Sequence, residues 1–182
     1  MFQQYWIDRA KENDRKAQLR LYNTYCEGMF GVAMRFLKNA EDAEDVTQEA
    51  FVKAFRKLHQ YKGEVSFGAW LKKIVIHKCI DFLKMKKDRE TPLHDSYMQI
   101  AEDEDDWTIA DDSVTVEDIK KAIERLPDKY RYVAMLYLIE GYDHEEISEI
   151  LHITETTSRT RLMRGKHKLR AHLTYTKHGT GH

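Results

Sequence analysis

Apolar residues recur every three to four positions through most of the chain, the spacing of helices with one face turned to a core. On that pattern a short helix is predicted near Gln4 to Glu12 and a long one from about Asp14 to Lys38. "DAEDVTQEAFVKAFRKL", Asp42 to Leu58, reads as the third, and the fourth runs from about Ser66 to Lys87. Asp14 and Ser66 are of the N-cap type, with a side-chain oxygen that can take a free backbone N–H. "QYKGEVS" between the third and fourth helices reads as a loop. In the third, Ala43, Thr47, Ala50, Phe51, Ala54, Phe55 and Leu58 fall along one stripe and are the expected core face. Val46 and Val52 are expected to project away from it, on a second face with Asp45, Glu49 and Arg56, and with Gln48 close by. Exposed valines are ordinary on a protein surface, so that face suits either plain solvation or docking.

Four more helical segments follow residue 114. Thr115 stands three before Asp118, close to a capping box. Pro127 lies near the start of the next segment, which ends at "EGY", where Gly141 suits a left-handed C-terminal position. Asp143 caps the third, with Glu146 three later, and Thr154 caps the fourth. The last two, joined by "LHIT", have the proportions of a helix-turn-helix. With Leu162 at the centre of the final helix's inner face, Ser158, Gly165 and Leu169 fall near it, while Thr156, Thr160, Met163, Arg164 and His167 point outward. Small polar residues and arginine opposite a packing seam suit entry into a DNA major groove; a basic solvated helix closing a bundle is the plainer alternative.

Between the two sets of helices, "HDSYMQIAEDEDDWTIADDS" lacks periodicity and reads as a linker. Charge sharpens this division. Lys72 to Arg89 holds seven Lys/Arg against two Asp; Pro92 to Thr115 holds eight Asp/Glu and no Lys/Arg; Thr156 to Arg170 holds six Lys/Arg and no acid. A formal net charge of −1 therefore conceals two basic patches flanking an acidic stretch, which points to two contacts with a polyanion. The fold class expected is all-α: two small helical domains joined by an acidic linker, the second containing the helix-turn-helix. The boundaries are 1–91, 92–114 and 115–176.

Other chemistry is sparse. "HEEISEILH" approaches a zinc-protease helix, but the position four after His144 holds Ser148, so no metal site is expected. No nucleophile–base pair or glycine-rich phosphate loop replaces it, and no cofactor or enzymatic activity is expected. Cys26 and Cys79 form no ligand-spaced set and are expected to be reduced packing residues. The N-terminus carries no apolar signal segment and no run is long enough for membrane insertion, so a cytoplasmic protein is expected. In the fourth helix Trp70, Lys73, His77 and Lys84 line one flank, with Asp81 nearby. An aromatic among cations suits unstacked bases and phosphates, though Trp70 equally suits a core with one edge exposed.

"NAEDAEDVTQEAFVKAFRKLHQYKGEVSFGAWLKKIVIHKCIDFLKMKK" resembles the second conserved region of bacterial extracytoplasmic-function sigma factors, and "LPDKYRYVAMLYLIEGYDHEEISEILHITETTSRTRLMRGKHKLRAHL" resembles their fourth. The resemblance implies a subunit that binds core RNA polymerase and directs it to promoter DNA. It makes the third helix the surface that grips the clamp helices of the largest polymerase subunit, with apolar contact from Val46 and Val52 and polar contact from Asp45, Gln48 and Glu49. It makes the loop from Tyr61 to Ser66 and the helix after it the reader of the minus-ten element, using Tyr61, Lys62, Gly63, Ser66, Trp70, Lys73 and His77. It makes the last helix the reader of the minus-thirty-five element, through Thr156, Thr157, Arg159, Thr160, Arg161, Met163 and Arg164. The acidic linker would thread the polymerase's RNA path, and an anti-sigma factor is a partner the family often has. Three departures from the family pattern stand out: His152 at the usual turn glycine, Ser158 where valine is usual, and Gly165 where alanine is common. The last two are expected to weaken the inner seam of the final helix. The alternative function is a dimeric helix-turn-helix regulator acting without polymerase.

Overall fold

In a computed structural model of the chain, residues 2–90 and 114–178 are described, with side chains within 3–86 and 114–173. The acidic linker expected at 92–114 lies, but for Val114, outside the described residues. Two compact helical units account for the rest.

The first unit contains α1 (Phe2–Lys11), α2 (Arg15–Leu37), α3 (Ala40–Lys57) and α4 (Phe67–Glu90), with a single 3-10 turn, Leu58–Gln60, after α3. The starts of α2, α3 and α4 each have a side-chain cap. The Asp14 carboxylate accepts from the backbone N–H of Lys16 at 2.9 Å and of Ala17 at 3.3 Å, and its other oxygen meets Arg9 at 2.8 Å. Those bonds, the Ala17 N–H foremost, hold the Asp14 carboxyl below its usual pKa. α2 ends at Lys38 in the left-handed conformation (φ 55°), and Asn39 then caps α3 by accepting from Asp42 N–H at 2.9 Å. Ser66 opens α4 by accepting from Ala69 N–H at 3.2 Å.

α2, α3 and α4 pack on one another, and α1 lies along α2. Alanines 17, 33, 43, 50 and 54 let the backbones approach closely around Phe36, Phe51, Leu58, Phe67, Leu71 and Ile76, all buried. Because α3 meets both α2 and α4, its core face is wider than one stripe. Val46, expected to project outward, is only 4% exposed and belongs to that core. At 100° per residue it lies about 60° to one side of Ala43, much as Phe51 lies about 80° to the other. Cys79 is fully buried, its thiol pushed up to about 12 by burial, whereas Cys26 is only half-buried.

The second unit contains α5 (Val116–Glu124), α6 (Asp128–Ala134), α7 (His144–Leu151) and α8 (Glu155–His178). Both predicted capping boxes are formed, by Thr115 with Asp118 and by Asp143 with Glu146. The segment after Pro127 is not one regular helix. α6 widens into a π-helical turn, Met135–Ile139, that closes through Glu140 N–H to Met135 O at 3.0 Å. Met135 and Leu136, consecutive in sequence, are both buried there. Gly141 then reverses the chain at φ 78°, a conformation that favours glycine. α8 packs on α5, α6 and α7, and its inner seam is Ser158, Leu162, Gly165 and Leu169, all buried as expected.

Candidate functional site

Three surfaces gather the candidate residues. On α3, Asp45, Gln48, Glu49 and Val52 share an open groove of about 900 Å³ with Lys78 and Asp81 of α4. Val52 is 51% exposed, an apolar centre amid charge. Lys78 Nζ crosses the groove to Glu49 Oε2 at 2.8 Å, and a second α4 cation, Lys86, reaches Asp42 at 3.6 Å. Ion pairs thus link the two helices across this face. Such exposed pairs stabilise weakly, so an incoming partner can displace them at little cost. Val46 takes no part in this surface, being buried behind it.

The second surface is the loop from Tyr61 to Ser66 with the start of α4. Lys62, Gly63 and Ser66 are exposed, and Gly63 makes the bend at φ 81°. Tyr61 departs from expectation: its side chain is 6% exposed and forms part of the core. Its ring lies 5.7 Å from Phe67 and 5.4 Å from Trp70, and its hydroxyl donates to the Val65 carbonyl at 2.7 Å. Tyr61 thus shapes the loop from within and presents no ring to a ligand. Trp70 is half-buried, leaning on Tyr61 and Phe67, and Lys73 and His77, also half-buried, follow along α4. Val65, not singled out in the sequence, is 54% exposed in this loop, an apolar residue in a polar turn. Apolar side chains of this kind can wedge against unstacked bases.

The third surface is the outer side of α8. Thr154 caps it, accepting from Thr157 N–H at 3.1 Å, while the two threonine hydroxyls pair at 2.8 Å. Thr157 is therefore occupied in shaping the helix start. Thr156 and Arg159 are exposed; Thr160, Arg161, Met163 and Arg164 are half-buried. Arg159 rests on Glu155 at 3.2 Å, an exposed pair easily exchanged for another acceptor. The turn before α8 passes through His152 at φ 53°, ψ 50°, so histidine takes the left-handed position directly.

Ser158 does not simply weaken the seam. Its hydroxyl pairs with His144 Nδ1 at 2.8 Å, tying the first residue of α7 to α8. His144 stacks on Tyr137 with centroids 4.9 Å apart, and Lys166 stands 5.8 Å from that Tyr137 ring. Burial, with the cations of Arg159 and Lys166, holds the His144 pKa below its usual value; Asp143 and Glu155 oppose this. Either partner of the His144–Ser158 bond can be the donor, as the imidazole tautomer dictates. Among the described residues no group of three or more His, Cys, Asp or Glu could hold a metal ion, and no helix is long and apolar enough to cross a membrane.

A charged groove on one helical unit, a shaped loop beside a cationic helix, and a helix-turn-helix with a basic outer face on a second unit together define a bipartite transcription factor of the sigma type. Sigma-70 region 2 matches residues 21–89 and sigma-70 region 4 matches residues 117–169. The chain is 30% identical over 176 residues to the ECF RNA polymerase sigma factor SigW of Bacillus subtilis, covering 92% of this chain and 94% of that one. It is 29% identical over 170 residues to the RNA polymerase sigma-H factor of Pseudomonas aeruginosa, covering 88% of each. In fold it matches the sigma factor RpoE of Bartonella quintana, solved with the anti-sigma factor NepR, with a TM-score of 0.55 at 19% identity, covering 85% of this chain and 95% of that chain. This chain belongs to the extracytoplasmic-function family of RNA polymerase sigma factors.

Proposed function

We propose that this chain directs core RNA polymerase to promoters through a division of labour between its three surfaces. The α3 groove, with Val52 as apolar centre and Asp45, Gln48 and Glu49 around it, docks on the polymerase. A charge-rimmed apolar centre is the usual anatomy of a specific protein interface. The loop 61–66 receives an extruded base of the minus-ten element, with Lys62 and Gly63 at the loop and Trp70, Lys73 and His77 beside it along α4. The outer side of α8, through Thr156, Arg159, Thr160, Arg161, Met163 and Arg164, reads the minus-thirty-five element in the major groove. The domain limits that go with this are 1–91, 92–114 and 115–176, the middle segment following the polymerase's RNA path. An anti-sigma factor that covers the α3 groove or the α8 face would silence the protein, and the cytoplasm, where polymerase works, is its place of action.

The observation that carries this reading is the pairing, within one chain, of a helical unit matching sigma region 2 with one matching region 4, each presenting charged residues away from a sealed core. A dimeric regulator would need neither the groove nor the loop, and the family does not favour it. Gel filtration with core polymerase, followed by transcription from promoters carrying both elements, tests the proposal. Co-elution and element-dependent transcripts are expected; a symmetric dimer that ignores polymerase would overturn it. Exchanging the loop 61–66 should change which minus-ten sequence is opened without altering co-elution.

A further inference from the structure

α1 lies before the residues matched by sigma region 2, which begin at residue 21. Its inner face, Ile7 and Ala10, is buried against the bundle, and Gln3 hydrogen-bonds to the Tyr25 hydroxyl. That much is packing. Its last residue does something different. Lys11 Nζ reaches across 50 positions of sequence to donate to the Tyr61 carbonyl at 3.1 Å, and it stands 5.8 Å from the centroid of the Tyr61 ring.

Tyr61 is the hinge of the loop 61–66. Its N–H donates to Leu58 O at 3.1 Å, its hydroxyl donates to Val65 O at 2.7 Å, and Phe67 and Trp70 fix its ring. The carbonyls at both ends of the loop are therefore satisfied by side chains: that of residue 65 by Tyr61, and that of residue 61 by Lys11. Between them Lys62, Gly63, Glu64 and Val65 are all exposed, so these few bonds carry most of the loop's definition. A loop that must receive a flipped base binds it better when its shape is set beforehand, since less ordering remains to be done.

We propose that Lys11 is a positioning residue for the minus-ten reader, which makes α1 part of that reader. The proposal rests on the assignment of loop 61–66 to base reading made above. Lys11 touches no base; it holds the Tyr61 carbonyl, and through Tyr61 the placement of Val65. Removing the ammonium group leaves that carbonyl to water and lets the loop sample other shapes. The cost falls on strand opening, while the α3 groove keeps its residues and ion pairs.

The test uses the full chain with core polymerase, on promoters that differ only in the minus-ten element, with permanganate reporting unpaired thymines. Lys11→Met keeps the apolar stem and loses the donor; Lys11→Arg keeps a donor. One lost hydrogen bond corresponds to a decrease of about two- to tenfold in opening of the preferred promoter. Lys11→Met should show that decrease and a weaker discrimination among the minus-ten variants, Lys11→Arg should restore both, and co-elution with polymerase should be unchanged. No decrease, an equal decrease on every promoter, or no rescue by arginine would overturn the tether. The loop exchange is run alongside to separate the two ideas. If it shifts the preference while Lys11→Met does not, the tether fails and the loop reading stands. If it shifts nothing, the loop reading fails and the tether with it, whatever Lys11→Met does.

Discussion

Replacing Gly165 with alanine adds one methyl group in the middle of α8, on the face that packs against α6. The added carbon would lie 3.6 Å from Tyr130 Cβ, 3.7 Å from the Tyr130 carbonyl oxygen and 3.8 Å from Leu126 Cδ1. Those are ordinary van der Waals distances, so nothing has to move. Alanine in a helix interior is favoured over glycine by about 0.8–1.0 kcal/mol, and contact made by the methyl adds a few tenths toward the roughly 0.8 kcal/mol of a buried CH₂. The second unit should gain about 1–1.5 kcal/mol. For a unit of this size that is a rise of at least about 4 °C in its melting temperature. Circular dichroism gives the melt, and hydrogen exchange of α6 and α8 amides assigns the gain to this unit. Promoter preference should not change, because the methyl is on the sealed side of α8. Two other glycines serve as controls in the opposite direction. A carbon at Gly68 would sit 3.0 Å from Tyr25 Cε1, and Gly141 holds φ 78°, which costs an ordinary residue about 1–2 kcal/mol. Both alanine variants should be less stable than wild type. A neutral or destabilised Gly165→Ala protein would refute the reasoning, and would mean that the seam is closed more tightly than these distances say.

Reversing charge at Asp45 and Glu49 together should weaken polymerase binding by about 2–5 kcal/mol while leaving the circular dichroism spectrum native, since both residues are exposed; undiminished co-elution would remove α3 from the docking surface. Arg159→Ala should reduce transcription from a matched promoter by the equivalent of roughly 1–3 kcal/mol if it contacts a base edge, and lower the salt slope by about one if it contacts phosphate. Core binding should be unaffected, and equal transcription across salt concentrations would exclude both roles. The His144 pKa is held below the ordinary histidine value of 6.5, so the unfolded chain binds that proton more readily than the folded one and stability is lost as pH falls through 6.5 toward the folded value. Thermal melts on either side of that range should show this loss in wild type and a smaller one in His144→Asn; identical pH profiles would show that the His144–Ser158 pair has no such effect.

Much of this architecture is legible in periodicity and capping chemistry because both are local. Asp14, Ser66, Thr115, Asp143 and Thr154 act as N-caps through bonds to residues two or three ahead, so residue type and position suffice to find them. The α8 seam follows from the 3.6-residue repeat alone. What fails is whatever depends on a second element. Val46 is misplaced because a stripe is drawn for one neighbour, while α3 has two. Tyr61 looks like a loop residue until Phe67 and Trp70 fold back over it. The π-helical turn at Met135–Ile139 leaves no mark in the pattern, and Lys11 carries no signal at all, since its acceptor is a backbone carbonyl.

Candidate surface residues are easier to mark in a sequence than the residues that pack beneath them, and the reason is physical. Candidate surface residues are picked out by what they offer to solvent, so charge and exposed apolar side chains mark them. The groups that set their geometry are chosen for where they sit, and they are chemically unremarkable: alanines 43, 50 and 54 beneath the α3 groove, and Ser158 and Gly165 beneath the α8 face. Small residues bring two backbones close and leave few ways for a helix to shift. At Ser158 this goes further. A valine there would orient α8 by packing, which tolerates small slides; the bond to His144 is directional, and it fixes α8 relative to the first turn of α7. The departure from the family pattern therefore exchanges one kind of restraint for another, a directional bond in place of packing on the inner seam of α8.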